Sequence, residues 1–247
     1  MTLSSTRSVA LVTGGSRGIG AAISRRLAAD GHAVVINYAG RRDDAEALAA
    51  ELNAANAQAL ALQADVADPQ AVRQLFDAIE ARFGGIDVVV NSAGVLQLAP
   101  LADSDDALFE RVIGINLKGA FNVLRESARR VRDGGRLISL STSVVGIRLE
   151  NYSVYAASKA AVETMGAILS KELRGRNITV NAVAPGPTAT DLFLEGKSPE
   201  LIERLAKMNP LERLGTPEDI AGAVAFLAGA DGRWINGQVL RANGGMV

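Results

Sequence analysis

Cysteine is absent from this chain and histidine occurs once, as His32. A disulfide framework is therefore excluded, and so is an ordinary zinc site, which needs several nitrogen or sulfur ligands. Charge of one sign is also missing: 26 basic and 27 acidic residues leave a formal net charge of −1. That balance gives no electrostatic case for a nucleic-acid partner or an anionic membrane surface. No apolar run approaches the ~20 residues that cross a bilayer. The opening run Met1-Thr2-Leu3-Ser4-Ser5-Thr6-Arg7 lacks the apolar core of a secretion signal. The expectation is a cytoplasmic protein with no membrane partner and no metal site. His32, set between Gly31 and an apolar run, reads as structural.

What is present is enough apolar material for one large core, 48% of 247 residues. No linker, repeat or low-complexity stretch divides the chain. Short apolar runs at 9–13, 33–38, 59–64, 86–91, 136–141, 178–183 and 237–241 read as strands. Helical patterns lie between them near 19–29, 43–53, 69–83, 109–131, 154–174 and 217–227. Near-continuous apolar strands separated by helices predict a parallel seven-stranded sheet covered on both faces. Right-handed crossovers make this a doubly wound, Rossmann-type α/β domain spanning residues 1–247, with ligands beyond the carboxyl ends of the strands.

Two local patterns carry chemistry. The run Thr13-Gly14-Gly15-Ser16-Arg17-Gly18-Ile19-Gly20 joins the first strand to an amphipathic helix. Backbone amides at such a helix start can receive a pyrophosphate. The second pattern, Tyr155-Ala156-Ala157-Ser158-Lys159, sets a phenol and an ammonium one helical turn apart on the same face. At about 5 Å and an effective dielectric of about 20, the lysine charge is worth roughly 3 kcal/mol, about two units off the tyrosine pKa of ~10. That predicts a proton donor poised near neutral pH.

Together with Asn91-Ser92-Ala93-Gly94, Asn116, Ser141-Thr142-Ser143 and Pro185-Gly186, these motifs occur in an order that resembles the short-chain dehydrogenase/reductases over essentially the whole chain. Gly232-Arg233-Trp234-Ile235-Asn236-Gly237-Gln238 is most similar to the branch holding 3-oxoacyl-carrier-protein and naphthol reductases. The resemblance implies that Tyr155 protonates a carbonyl oxygen as hydride arrives from a nicotinamide. Lys159 would lower the Tyr155 pKa and hold the nicotinamide ribose, and Asn116 would interrupt its helix and hold a water that relays protons to Lys159. It further implies cofactor contacts from Gly14, Ser16, Arg17, Gly18, Ile19, Gly20, Asn37, Tyr38, Arg41, Asp65, Val66, Asn91, Ala93, Gly94, Tyr155, Lys159, Pro185, Gly186 and Thr188. Asp65 could instead cap the helix after it. The resemblance also implies a homotetramer packed through the helix of Tyr155 and the one before it.

The catalytic hydroxyl is ambiguous. The family's spacing to the tyrosine selects Thr142, whereas its spacing to the next glycine selects Ser143, and both stand. Ser141 reads as a residue that satisfies backbone at the strand end. For the cofactor, a site selective for NAD(H) places an acid at the end of the second strand. Here Asn37-Tyr38-Ala39-Gly40 leads to Arg41 and Arg42, with Arg17 in the glycine turn, and guanidinium groups suit a phosphate. NADP(H) is therefore expected. Residues 187–209, with Leu192, Phe193 and Met208 giving an apolar underside, read as a substrate lid. The reaction expected is reduction of a 3-oxoacyl, quinone-like or other carbonyl substrate. An NAD(H)-dependent sugar or polyol dehydrogenase and a noncatalytic NADP-binding sensor are the alternatives.

Overall fold

In the computed structural model, which describes residues 7–247, seven parallel strands form one sheet. Of the N-terminal run quoted above, residues 1–6 lie outside this range. The strands are β1 (Val9–Thr13), β2 (Ala33–Tyr38), β3 (Gln58–Gln63), β4 (Ile86–Asn91), β5 (Val131–Leu140), β6 (Thr179–Pro185) and β7 (Val239–Ala242), ordered β3-β2-β1-β4-β5-β6-β7. Every residue of β1, β2 and β6 is buried, as strands covered on both faces must be. The order reverses between β1 and β4, which opens a crevice at their carboxyl ends.

The helices in chain order are α1 (Gly18–Ala29), α2 (Arg42–Ala54), α3 (Pro69–Phe83), α4 (Asp106–Val112), α5 (Ala120–Arg130), α6 (Val144–Ile147), α7 (Ser153–Glu172), α8 (Asp191–Leu194), α9 (Pro199–Ala206) and α10 (Pro217–Ala228). Against one face pack α1, α2 and α10 through Ile23, Leu27, Leu48, Ile220 and Leu227. Against the other pack α3, α5 and α7 through Phe76, Ile79, Val123 and Leu169. His32 hydrogen-bonds Ser8 at 3.0 Å at the amino-terminal end of the sheet, away from the crevice.

Two elements depart from the pattern predicted by periodicity. The helix expected over 109–131 is interrupted: α4 passes through a π-helical stretch, Ile113–Gly119, before α5 begins. Asn116 lies in that stretch, and its amide bonds the backbone of Val95 in both directions, at 2.8 and 2.9 Å. Gly119 there approaches Val66 so closely that a Cβ would come within 2.6 Å of a Val66 methyl. A side chain that serves a neighbouring segment and a glycine pressed on another are recognised causes of such a break. The second departure is β5, which begins at Val131 opposite Ile86, loops out, and resumes at Arg136 opposite Val88.

Candidate active site

The crevice is a cleft of about 540 Å³, and its two ends are built from different parts of the chain. At one end the turn after β1 is held by Ser24, whose hydroxyl donates to the carbonyls of Gly15 and Gly20 at 3.2 and 3.0 Å. Gly14 takes φ +61°, a conformation that favours glycine, and a Cβ there would lie 2.9 Å from the Ala93 backbone. No side chain caps the first turn of α1, so its amides face the cleft unclaimed. Beyond the end of β2 the wall consists of Tyr38, Ala39, Gly40 and Arg41, with Arg17 contributed by the glycine turn. This combination of a bare helix start, close-approach glycines and two cations fits a phosphorylated dinucleotide.

At the other end stand Tyr155 and Lys159 on α7, and Thr142 just past β5. Lys159 is buried, and its ammonium donates to the Leu140 carbonyl at 2.8 Å. Tyr155 is half-buried, with the Thr142 side chain beside its hydroxyl. Ser158, between them, donates to the Tyr155 carbonyl at 2.7 Å and accepts from Asn116 Nδ2 at 3.3 Å. A Cβ on Gly94 would sit 3.3 Å from Asn116 Oδ1 and 3.4 Å from Lys159 Nζ, so glycine keeps this corner clear.

The electrostatics reverse one expectation. Burial pushes Tyr155 up to about 12, with Thr142 pulling it down and Tyr152 adding slightly to the rise. Burial likewise pushes Lys159 down to about 8. The two-unit depression expected from the lysine charge alone does not develop, because desolvation disfavours the charged form of both groups. The phenol is therefore held in its protonated form, the form a proton donor requires.

Across residues 14–247 the chain matches the family model described as Enoyl-(Acyl carrier protein) reductase. It is 48% identical to a short-chain type dehydrogenase/reductase of Picea abies, over 97% of this chain and 92% of the relative. It is 44% identical to an NADPH-dependent aldehyde reductase-like protein, chloroplastic, of Arabidopsis thaliana, over 97% and 94%. The crystal structure of a short chain dehydrogenase from Burkholderia cenocepacia in complex with NADP superposes with a TM-score of 0.92 at 38% identity, covering 98% of each chain. This chain belongs to the short-chain dehydrogenase/reductase family.

Within this family member, most residues nominated from sequence line the cleft: Gly14, Ser16, Arg17, Gly18, Ile19, Gly20, Tyr38, Arg41, Asp65, Val66, Ala93, Gly94, Pro185, Gly186 and Thr188 do so. Asn37 lines it too, but its amide is spent on the Ala64 and Leu62 carbonyls. Asp65 accepts from Ala67 N–H at 2.9 Å, whereas the cap of α3 is Asp68, so Asp65 does not cap that helix. Asn91 is buried behind the cleft wall, where it accepts from Thr13 Oγ1 at 3.3 Å and joins β4 to β1. Asn116 likewise stands one layer behind the cleft, holding Val95 and Ser158.

Three further nominations change. Arg42 is ion-paired with Glu46 at 2.7 Å along α2 and does not line the cleft. Ser143 lines the cleft beside Thr142, but its hydroxyl donates to the Ala184 carbonyl at 3.2 Å and accepts from Asn243 at 2.9 Å, so it also serves the scaffold. Met208 is exposed and does not line the cleft, which Leu205 of α9 lines together with Leu192 and Phe193 instead. Sequence reasoning missed the Leu140 carbonyl, which is backbone and carries no residue signal. It also missed Tyr152, one turn before Tyr155 with the two rings edge to face at 6.3 Å, which helical spacing does signal.

Proposed function

We propose that this chain is an NADP(H)-dependent carbonyl reductase that interconverts a ketone or aldehyde and its alcohol. The observation that carries the reading is the placement of Thr142, Tyr155 and Lys159 in the same cleft as the glycine turn, Arg17 and Arg41. Bound there, NADPH supplies the hydride. The Tyr155 hydroxyl gives its proton to the substrate oxygen as charge develops on it, and the Thr142 hydroxyl donates a hydrogen bond to the same atom. Lys159, fixed by the Leu140 carbonyl, stabilises the phenolate that Tyr155 leaves and holds the ribose of the cofactor. Arg17 and Arg41 take the adenosine phosphate, which agrees with the relative named for NADPH and the neighbour solved with NADP.

The substrate half is mainly apolar, with Val95, Leu96, Ile147, Leu149, Leu192 and Phe193 on its walls. It suits a carbonyl compound with an apolar body, and residues 187–209 act as its lid. A homotetramer accounts for the apolar side chains that α4, α5 and α7 expose, Phe109, Phe121 and Ile168. Sedimentation measures it directly. Among the small residues of α7, Gly166 is buried with Val180 of β6 as its nearest neighbour, so it faces the sheet.

The deciding experiment is a screen of aldehydes, ketones, quinones and 3-oxoacyl thioesters by NADPH absorbance, repeated with Tyr155→Phe. Turnover by the variant is expected to fall by at least about 10²-fold with NADPH binding retained. A variant as fast as the wild type overturns the reading.

A further inference from the structure

Ser141, at the carboxyl end of β5, sends its hydroxyl to a carboxylate rather than to backbone. Its Oγ donates to Glu163 Oε1 at 2.5 Å, while its N–H donates to the Val183 carbonyl at 2.7 Å. Ser141 is buried and Glu163 half-buried. Glu163 stands on α7 one turn beyond Lys159 and two beyond Tyr155, so the three side chains share one helical stripe. On the opposing strand end, Leu140 receives Lys159 through its carbonyl and Thr142 meets Tyr155 through its side chain. Three consecutive residues thus each meet one member of the stripe; Ser141 lies between the other two on the strand side, and Glu163 lies beyond them on the helix.

A hydrogen bond to an ionised acceptor is stronger and more directional than a neutral one. It also resists loss, because a carboxylate left without its partner in a half-buried site is costly. These properties suit a contact that sets the spacing of two elements.

We infer that Glu163 is a positioning residue: its carboxylate, bonded to Ser141, holds the end of β5 where Leu140 meets Lys159 and Thr142 meets Tyr155. The inference rests on the reading of Tyr155 as proton donor. It predicts a loss in the chemical step larger than any loss in cofactor binding, since the phosphate end of the cleft is built from other residues and only Lys159 of this set holds the cofactor.

The test uses the intact protein with the best substrate of the carbonyl screen, in wild type, Glu163→Ala, Glu163→Gln, Ser141→Ala and the Ser141→Ala/Glu163→Ala double variant. Expected are about tenfold losses of kcat in both single alanine variants and about the same tenfold, not a hundredfold, in the double. KM for NADPH changes by much less than kcat, and Glu163→Gln, whose amide oxygen still accepts from Ser141, keeps most of the activity. Circular dichroism establishes that each variant is folded, and Ser141→Ala carries the test if Glu163→Ala is not. Wild-type kcat in the alanine variants, multiplying losses in the double, a Gln variant as slow as Ala, or equal losses in kcat and NADPH affinity each overturn the inference. Failure of the wild type to turn over any carbonyl, or an active Tyr155→Phe, overturns the parent reading instead.

Discussion

The ammonium of Lys159 is anchored on the carbonyl oxygen of Leu140, 2.8 Å away, at the last residue of β5. This bond fixes a long, flexible side chain at the strand edge and leaves its remaining protons directed by the local packing. Desolvation by burial pushes the same ammonium down to about 8.

A pH dependence follows. The ammonium is charged below about pH 8, so reductive kcat/KM is expected to decline as pH rises through that value. The folded pKa lies below the ordinary 10.5, so between pH 8 and 10.5 the unfolded chain binds more protons and stability rises with pH. At pH 7 the buried charge costs the fold on the order of 3 kcal/mol. Lys159→Met is expected to abolish turnover yet raise Tm at pH 7 by a few degrees, partly offset by the unpaired Leu140 carbonyl. Calorimetry showing a lower Tm contradicts this.

Thr142 and Ser143 are separable by mutation. Thr142→Val removes a hydroxyl that meets Tyr155 and is expected to lower kcat by about 10²-fold. Ser143→Ala removes bonds to Ala184 and Asn243, so its expected effect is a loss of about 1–2 kcal/mol of stability with a much smaller change in kcat. Steady-state kinetics beside thermal melts distinguish the two, and a reversed pattern transfers the catalytic role to Ser143.

On the proposed reading, cofactor selectivity rests on Arg17 and Arg41. Arg41 is only loosely engaged, 3.4 Å from Asp44, whereas Arg42 is committed to Glu46 at 2.7 Å. Arg41→Ala is expected to raise KM for NADPH by about tenfold or more, leaving KM for NADH nearly unchanged. Arg42→Ala should change neither appreciably. Equal effects of the Arg41 change on both cofactors place the phosphate elsewhere.

Gly20 bounds the turn from the helix side. A Cβ there would collide with the Gly14 carbonyl, and because the obstacle is backbone, no rotamer change relieves it. Gly20→Ala is therefore expected to weaken NADPH binding severely and to lower Tm, read by fluorescence titration and melting. Wild-type affinity contradicts the tight turn.

The strands at 9–13, 33–38 and 86–91 were legible because sheet burial on both faces leaves near-continuous apolar runs. The interruption at Ile113–Gly119 was legible only as Asn116's expected helix break, since its partner, the Val95 backbone, is distant in sequence and carries no residue signal. Ser143 and Thr142 were equivalent by spacing, and they differ by tertiary contact alone: Thr142 lies beside Tyr155, whereas the Ser143 hydroxyl is taken by Ala184 and Asn243.

The residue order alone determined the layered α/β architecture, the glycine turn and the pairing of Tyr155 with Lys159, because each depends on periodicity or on neighbours within one turn. Tertiary structure alone decided which arginine faces the cleft, which hydroxyl meets the phenol, and that the phenol's pKa is raised rather than lowered. Those outcomes depend on desolvation and on contacts between segments far apart in the chain, and neither is written in local spacing.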